Sequence, residues 1–150
     1  MQLVQLKPEQ SREEITDYVS RLFRELGGEE MVPSEQAFDR MFEQWTKDMR
    51  HWAYKLMEGE ELVGFFTLAE SFSCFAHGRY GVINEVWVAP AYRSQGAGKK
   101  MMGHIKEFAS LKGWKRLDVT APAEDEWFRS YAFYQQNGFK LTGKKLKFLL

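Results

Sequence analysis

Ile83-Asn84-Glu85-Val86-Trp87-Val88-Ala89-Pro90-Ala91-Tyr92-Arg93-Ser94-Gln95-Gly96-Ala97-Gly98-Lys99-Lys100 is the stretch around which the rest of the chain is ordered. Its first half is apolar and β-rich and stops at Pro90. A basic, glycine-rich turn follows, and Met101, Met102, Ile105, Phe108 and Ala109 then recur at helical spacing. The reading is strand, turn, helix. Gly96 and Gly98 have no Cβ, so the turn can bring successive backbone N–H groups close to a ligand, at the end of the helix where the dipole is positive. That is a place to hold a phosphate.

Two well-known phosphate loops do not fit. A P-loop needs a glycine five residues before Gly98 and a Ser or Thr after Lys99, and this chain has Arg93 and Lys100 there. A dinucleotide fingerprint needs a third glycine where Met101 stands. What does fit is Arg93, two residues, Gly96, one residue, Gly98: the Arg/Gln-x-x-Gly-x-Gly/Ala signature of the GNAT family of acyl-CoA-dependent N-acetyltransferases, which this sequence resembles. A second stretch, Ala132-Phe133-Tyr134-Gln135-Gln136-Asn137-Gly138-Phe139, is similar to the family's late helix, where an alanine, an aromatic-tyrosine pair and Gly-Phe recur at this spacing.

At 150 residues the chain reads as a single domain, 1–150, long enough for one good core. Lys+Arg and Asp+Glu both number 21, so no basic field argues for nucleic acid or an anionic membrane. The one cysteine, Cys74, excludes an intrachain disulfide, and three scattered His leave no metal-ligand spacing. The N-terminal residues lack a signal-peptide apolar run, and no segment has the length of a membrane span, so the expectation is a cytoplasmic protein.

Along the chain, residues 2–7 alternate as a short edge strand ended by Pro8. Ser11 and Glu14 form a capping-box pattern before Ile15, Tyr18, Val19, Leu22, Phe23 and Leu26 at helical spacing, closed by Gly27-Gly28. Phe38, Met41, Phe42, Trp45 and Met49 mark the buried face of a second helix. Residues 51–58 and 61–70 read as an antiparallel hairpin turning at Gly59, with Gly64 marking a bulge or a close backbone approach. Residues 71–80 read as an aromatic loop, 116–120 as a strand parallel to the central one, 126–136 as a helix closed by Gly138, and 140–150 as two short strands around Gly143. This order matches the α/β GNAT fold, a mixed central sheet flanked by helices.

The resemblance implies acetyl-CoA as acyl donor and no metal. It places Val86, Trp87 and Val88 against the pantetheine arm through their main chain, made possible if this strand splays from its parallel neighbour. Ser94, Gln95, Gly96, Ala97, Gly98 and Lys99 would lie under the pyrophosphate, with Arg93 or Lys99 adding charge. Tyr134 would stand beside the CoA sulfur. A phenol titrates near 10 and a thiol near 8.5, so such a tyrosine can donate to the departing sulfur. Glu85, a carboxylate inside an apolar strand, is the candidate base, directly or through a water. Its alternative is a structural ion pair, and the family often has two acids where this chain has Asn84 and Glu85. Strand alternation puts Glu85 on one face with Ile83 and Trp87 unless a bulge intervenes.

The expected reaction is acetylation of a primary amine, a small molecule in preference to a protein N-terminus or lysine, with a homodimer left open. Glu29, Glu30, Phe72, Phe75, His77 and Trp127 are available to an acceptor pocket, while His51 and His104 read as structural or solvent-exposed. The rival readings are a non-catalytic acyl-CoA-binding regulatory module and an interaction protein using exposed aromatic rings.

Overall fold

Among the described residues, five strands form one mixed sheet in the order β1-β2-β3-β4-β5, with β1 Gln2–Leu6, β2 His51–Glu58, β3 Glu61–Ser73, β4 Gly78–Val88 and β5 Leu117–Val119. Helices α1 Arg12–Gly27 and α2 Glu35–Lys47 separate β1 from β2, α3 Ala97–Leu111 joins β4 to β5, and α4 is Phe128–Gln136. The computed structural model describes residues 1–121 and 128–150. It divides into two compact units, Met1–Asp118 and Val119–Leu150. Pro122, Glu126 and Trp127 lie outside the described residues, so the expected start of the last helix falls there too.

Strand register sorts the side chains of the first unit onto two faces. Ala53, Thr67 and Glu85 are opposite one another across β2, β3 and β4, and Lys55, Phe65 and Trp87 form the next row on the same face. Leu6, Ala53, Phe65 and Trp87 of this face pack with Ile15, Tyr18 and Val19 of α1 and Phe38 and Phe42 of α2. Each of the larger aliphatic and phenylalanine side chains in this cluster contributes about 1.5–3 kcal/mol of burial free energy. The other face carries Trp52, Tyr54 and Phe66. Here Trp52 meets Phe108 of α3 at 5.2 Å and Trp114 at 5.8 Å between ring centroids, both edge-on.

The helix ends explain their sequences. Ser34 caps α2 by accepting from Ala37 N–H at 3.1 Å. After α3, Gly113 at φ 75° lets Trp114 N–H return to Ala109 and Gly113 N–H to Ser110, both at 3.0 Å. That reversal delivers Trp114 to the sheet, where its indole N–H donates to Glu70 at 2.7 Å. Gly64 is a close approach: a Cβ there would lie 2.5 Å from the Trp87 carbonyl oxygen and 2.7 Å from Met101 Sδ.

Several expectations are corrected. Ser11 stands at the N-cap of α1 but makes no side-chain cap, and the Glu14 carboxylate accepts from Lys55 and Tyr18 instead of from the Ser11 N–H. Met41 and Met49 are exposed, the latter beyond the end of α2, so the buried stripe narrows to Phe38 and Phe42 with Trp45 beside them. The loop expected over residues 71–80 is mostly hairpin: β3 runs to Ser73 and β4 starts at Gly78, leaving a tight turn with left-handed His77 at φ 59°. Phe72 and Tyr80 there act as strand formers. Residues 140–150 form no strand; their alternation finds no ladder partner among the described residues, and a strand needs one.

Candidate functional site

β4 leads directly into the glycine-rich turn. Ala89 N–H donates to Val63 at 2.8 Å, a 3-10 turn covers Pro90–Tyr92, and Ser94 and Gly96 then adopt φ of 60° and 84°. Left-handed residues in a turn swing neighbouring N–H groups to one side and make an anion-binding concavity. Lys100 N–H reaches Gly96 O at 3.1 Å, and the N–H groups of Ala97, Gly98 and Lys99 have no carbonyl one turn earlier. The first turn of α3 contains no acidic residue. Buried Ala97 seats the helix, whereas Ser94, Gln95, Gly96 and Lys99 are exposed. This donor set fits a pyrophosphate.

Arg93 does something else with its side chain. Its Nε donates to Val88 O at 2.8 Å, and its guanidinium grips both oxygens of Glu25 on α1 at 2.7 and 2.8 Å. The guanidinium thus braces the turn against α1, with its charge paired to Glu25. Nothing in the sequence pairs residues so far apart, and this contact was not legible from it.

Glu85 lies where the strand is irregular. Thr67 is opposite Glu85 and Leu68 is opposite Ile83, which leaves Asn84 as an extra residue, exposed, in a β-bulge. The bulge corrects the alternation: Glu85 shares a face with Thr67 and Trp87, and Ile83 pairs with Leu68 on the other. The Thr67 hydroxyl donates to the Glu85 carboxylate, and Glu85 N–H donates to Thr67 Oγ1 at 3.2 Å. Burial pushes the Glu85 carboxyl above its ordinary value, with Thr67 and the more distant His51 pulling the other way. Among the described residues no ion pair engages Glu85, and the Thr67 hydroxyl is the side-chain contact that holds its carboxylate. His51 itself pairs with Asp48 at 3.5 Å.

Val86 and Val88 are half-buried and Trp87 is buried. β5 is three residues long, and just before it Arg116 O accepts from Gly81 N–H at 3.0 Å, upstream of Glu85. Of the other pocket candidates, Glu29 is held by Arg24 at 2.6 Å, Glu30 is exposed, and Phe72, Phe75 and His77 are exposed about the β3–β4 turn. His104 is half-buried on α3.

In the second unit, α4 ends in a motif that fixes Tyr134. Gly138 takes φ 93°, Phe139 N–H returns to Tyr134 O, and Gly138 N–H returns to Gln135 O, both at 3.0 Å. The accompanying apolar contact is Phe139 edge-on to Tyr134 at 5.7 Å, with Phe133 at 5.3 Å on another side. The Tyr-x-x-x-Gly-Phe spacing is therefore a helix stop that pins the tyrosine ring. Desolvation pushes the Tyr134 phenol up to about 12, so it stays protonated at neutral pH and acts as a donor.

The Acetyltransferase (GNAT) family model matches residues 13–139. The uncharacterized N-acetyltransferase YhfO of Bacillus subtilis (strain 168) is 31% identical over 83 residues, 55% of this chain and 54% of that protein, so the alignment spans about half the relative's length. Among solved structures, a transcriptional regulator from Bacillus halodurans C-125 is similar with a TM-score of 0.79 at 22% identity over 99% of each chain. The aminoglycoside 6'-N-acetyltransferase AAC(6')-IG from Acinetobacter haemolyticus is similar with a TM-score of 0.77 at 16% identity over 100% of this chain and 98% of that one.

Proposed function

The chain belongs to the GNAT family of acetyltransferases, and from that premise we propose that it transfers the acetyl group of acetyl-CoA to a primary amine of a small molecule. The observation that carries this is the turn of Ser94 and Gly96, whose left-handed backbone opens α3 with unpaired N–H groups and no acidic residue in the first turn of the helix. The family match runs across the boundary between the two compact units and supports treating residues 1–150 as one catalytic domain. Similarity to an enzyme that acetylates aminoglycosides favours a small acceptor. Among the described residues no helix is long and apolar enough to cross a membrane, and we place the enzyme in the cytoplasm.

Acetyl-CoA supplies an activated thioester; the chain supplies position, donors and a proton route. The N–H groups of residues 94–99 hold the pyrophosphate, with the charge of Lys99. The main chain of Val86, Trp87 and Val88 aligns the pantetheine arm and offers N–H to the thioester oxygen as charge develops there. Glu85 takes the proton of the attacking amine, directly or through a water, and Tyr134 donates to sulfur as it leaves. Calorimetric titration with acetyl-CoA followed by a primary-amine panel tests the reading: a folded protein that binds no acetyl-CoA, or binds it and acetylates nothing, refutes it. The second of those outcomes is what a regulatory acyl-CoA-binding module would give, a reading that the resemblance to a transcriptional regulator keeps in play.

Glu85 gives a pH signature. If it is the base, kcat/KM should fall with acid through a midpoint above the ordinary carboxylate value of 4.5. Glu85→Gln should abolish that limb and lower kcat/KM by about a hundredfold. Thr67→Val removes a donor that stabilises the ionised form, so the limb should move to higher pH. Stability should run in the opposite sense. The folded state binds this proton more tightly than the unfolded chain, so the group's contribution is lost as pH rises through the raised pKa, and Glu85→Gln should raise Tm at pH 8 relative to pH 4.

The brace between Arg93 and Glu25 predicts a trade. Both side chains are partly exposed, so the pair is worth roughly 0.5–1 kcal/mol, or about 2 °C in a domain of this size. Glu25→Gln should lower Tm by about that much and tighten acetyl-CoA binding about threefold at low salt, by freeing a cation beside the anion turn. Unchanged affinity would mean that Arg93 stays on Val88 O and contributes no charge.

A further inference from the structure

We propose that the indole N–H of Trp87 is the hydrogen-bond donor for an oxygen that the acceptor carries two carbons from its amine nitrogen, so that the preferred acceptors are vicinal amino alcohols or α-amino carbonyl compounds. The proposal rests on the acetyl-transfer reading above. Trp87 is 5% exposed, and its Nε1 is the buried side-chain polar atom that no protein acceptor reaches among the described residues. Two other indoles are matched: Trp114 Nε1 donates to Glu70 at 2.7 Å and Trp45 Nε1 to His51 O at 3.3 Å. Buried donors are almost always paired, and one left without a protein partner is destabilising unless something else accepts from it.

Its position says what that something would be. Downstream of the bulge at Asn84, Glu85 and Trp87 alternate onto one face, successive on it, about 6.6 Å apart along the strand. Phe65 packs beside Trp87 at 6.3 Å between ring centroids and supplies an apolar wall. Lys55, the polar side chain in the same row, is already held by Glu14. A nitrogen and an oxygen on adjacent carbons are separated by about 3 Å, and a hydrogen bond of about 2.9 Å at each end lets one small molecule reach both Glu85 and Trp87. A plain alkylamine satisfies only Glu85.

Acetylation of 2-aminoethanol and of propylamine by the native protein and by Trp87→Phe tests this. The native protein should favour 2-aminoethanol by about tenfold or more in kcat/KM, since a site built to bond a hydroxyl rejects the analogue without it. Trp87→Phe should lose that preference, the ratio of kcat/KM for 2-aminoethanol over propylamine falling to within about threefold of one. No preference in the native protein, or an equal loss on both amines in the variant, would overturn the assignment and leave Trp87 a packing residue. Turnover of no primary amine at all would overturn the acetyl-transfer reading and this inference with it. Should Trp87→Phe fail to fold, the native protein gives the answer by NMR with CoA bound. The indole resonance shielded from solvent exchange should shift with 2-aminoethanol and stay in place with propylamine, and the same response to both amines counts against the proposal.

Discussion

Tyr134→Phe should lower kcat by about a hundredfold while leaving acetyl-CoA affinity within about twofold, measured by single-turnover kinetics beside calorimetry. The substitution is isosteric where the structure holds the ring: the edge-on contact with Phe139, the contact with Phe133 and the backbone returns to Tyr134 O and Gln135 O do not use the hydroxyl. What is removed is a phenol that desolvation has pushed up to about 12. That value refines the chemistry expected from the sequence. A phenol near 10 stands close to a free thiol near 8.5 and would share its proton readily. At about 12 it holds the proton more firmly, so its main service to a leaving thiolate is a charge-assisted hydrogen bond, with complete transfer favoured only as the sulfur is itself desolvated. The rate loss should therefore be greatest for donors whose thiol is a poor leaving group and smaller for an acyl donor with a more acidic thiol. A kcat unchanged in Tyr134→Phe would reduce the residue to a helix-stop aromatic.

The parts of this molecule that were legible in the sequence are those where a residue's own covalent structure dictates the backbone. Gly96 and Gly138 sit at φ of 84° and 93°, conformations that side chains disfavour, and their spacing from Arg93 and Tyr134 announced both motifs. The amphipathic spacing of α1 and the β2–β3 hairpin were equally open to reading, because each depends on neighbours within a few residues. What could not be read depends on pairing at long range. The bulge at Asn84 is a property of β3 and β4 together, and it alone moves Ile83 off the face that Glu85 occupies. The same holds for the brace from Arg93 to Glu25, which joins a turn to the far end of α1. Residues 140–150 erred the other way. Their alternation suited a strand, but alternation does not supply the ladder partner that makes one.

The larger effect is expected at Gly96, where Gly96→Glu should weaken acetyl-CoA binding by at least a hundredfold. Its proper control is Gly96→Gln. A Cβ at this position meets nothing within 4 Å, so neither variant is overpacked, and both bear the same left-handed strain of about 1–2 kcal/mol at φ 84°. Each should fold with Tm lowered by a few degrees. The two differ only in charge. Both side chains stand over the N–H groups that open α3 and obstruct an anion there, but only the carboxylate offers those donors a competing negative charge and repels the pyrophosphate. Gly96→Gln should therefore lose part of the affinity, and Gly96→Glu about tenfold more at low salt. That difference should shrink as ionic strength rises and the Debye length falls below about 10 Å. Equal binding by native protein and both variants would show that the coenzyme's phosphates lie elsewhere. Equal losses in the two variants, insensitive to salt, would show that the turn is shaped to fit the coenzyme but contributes no electrostatic attraction. A salt-dependent gap between them requires an anion within a few ångströms of Gly96, which is the physical content of assigning this turn to the pyrophosphate.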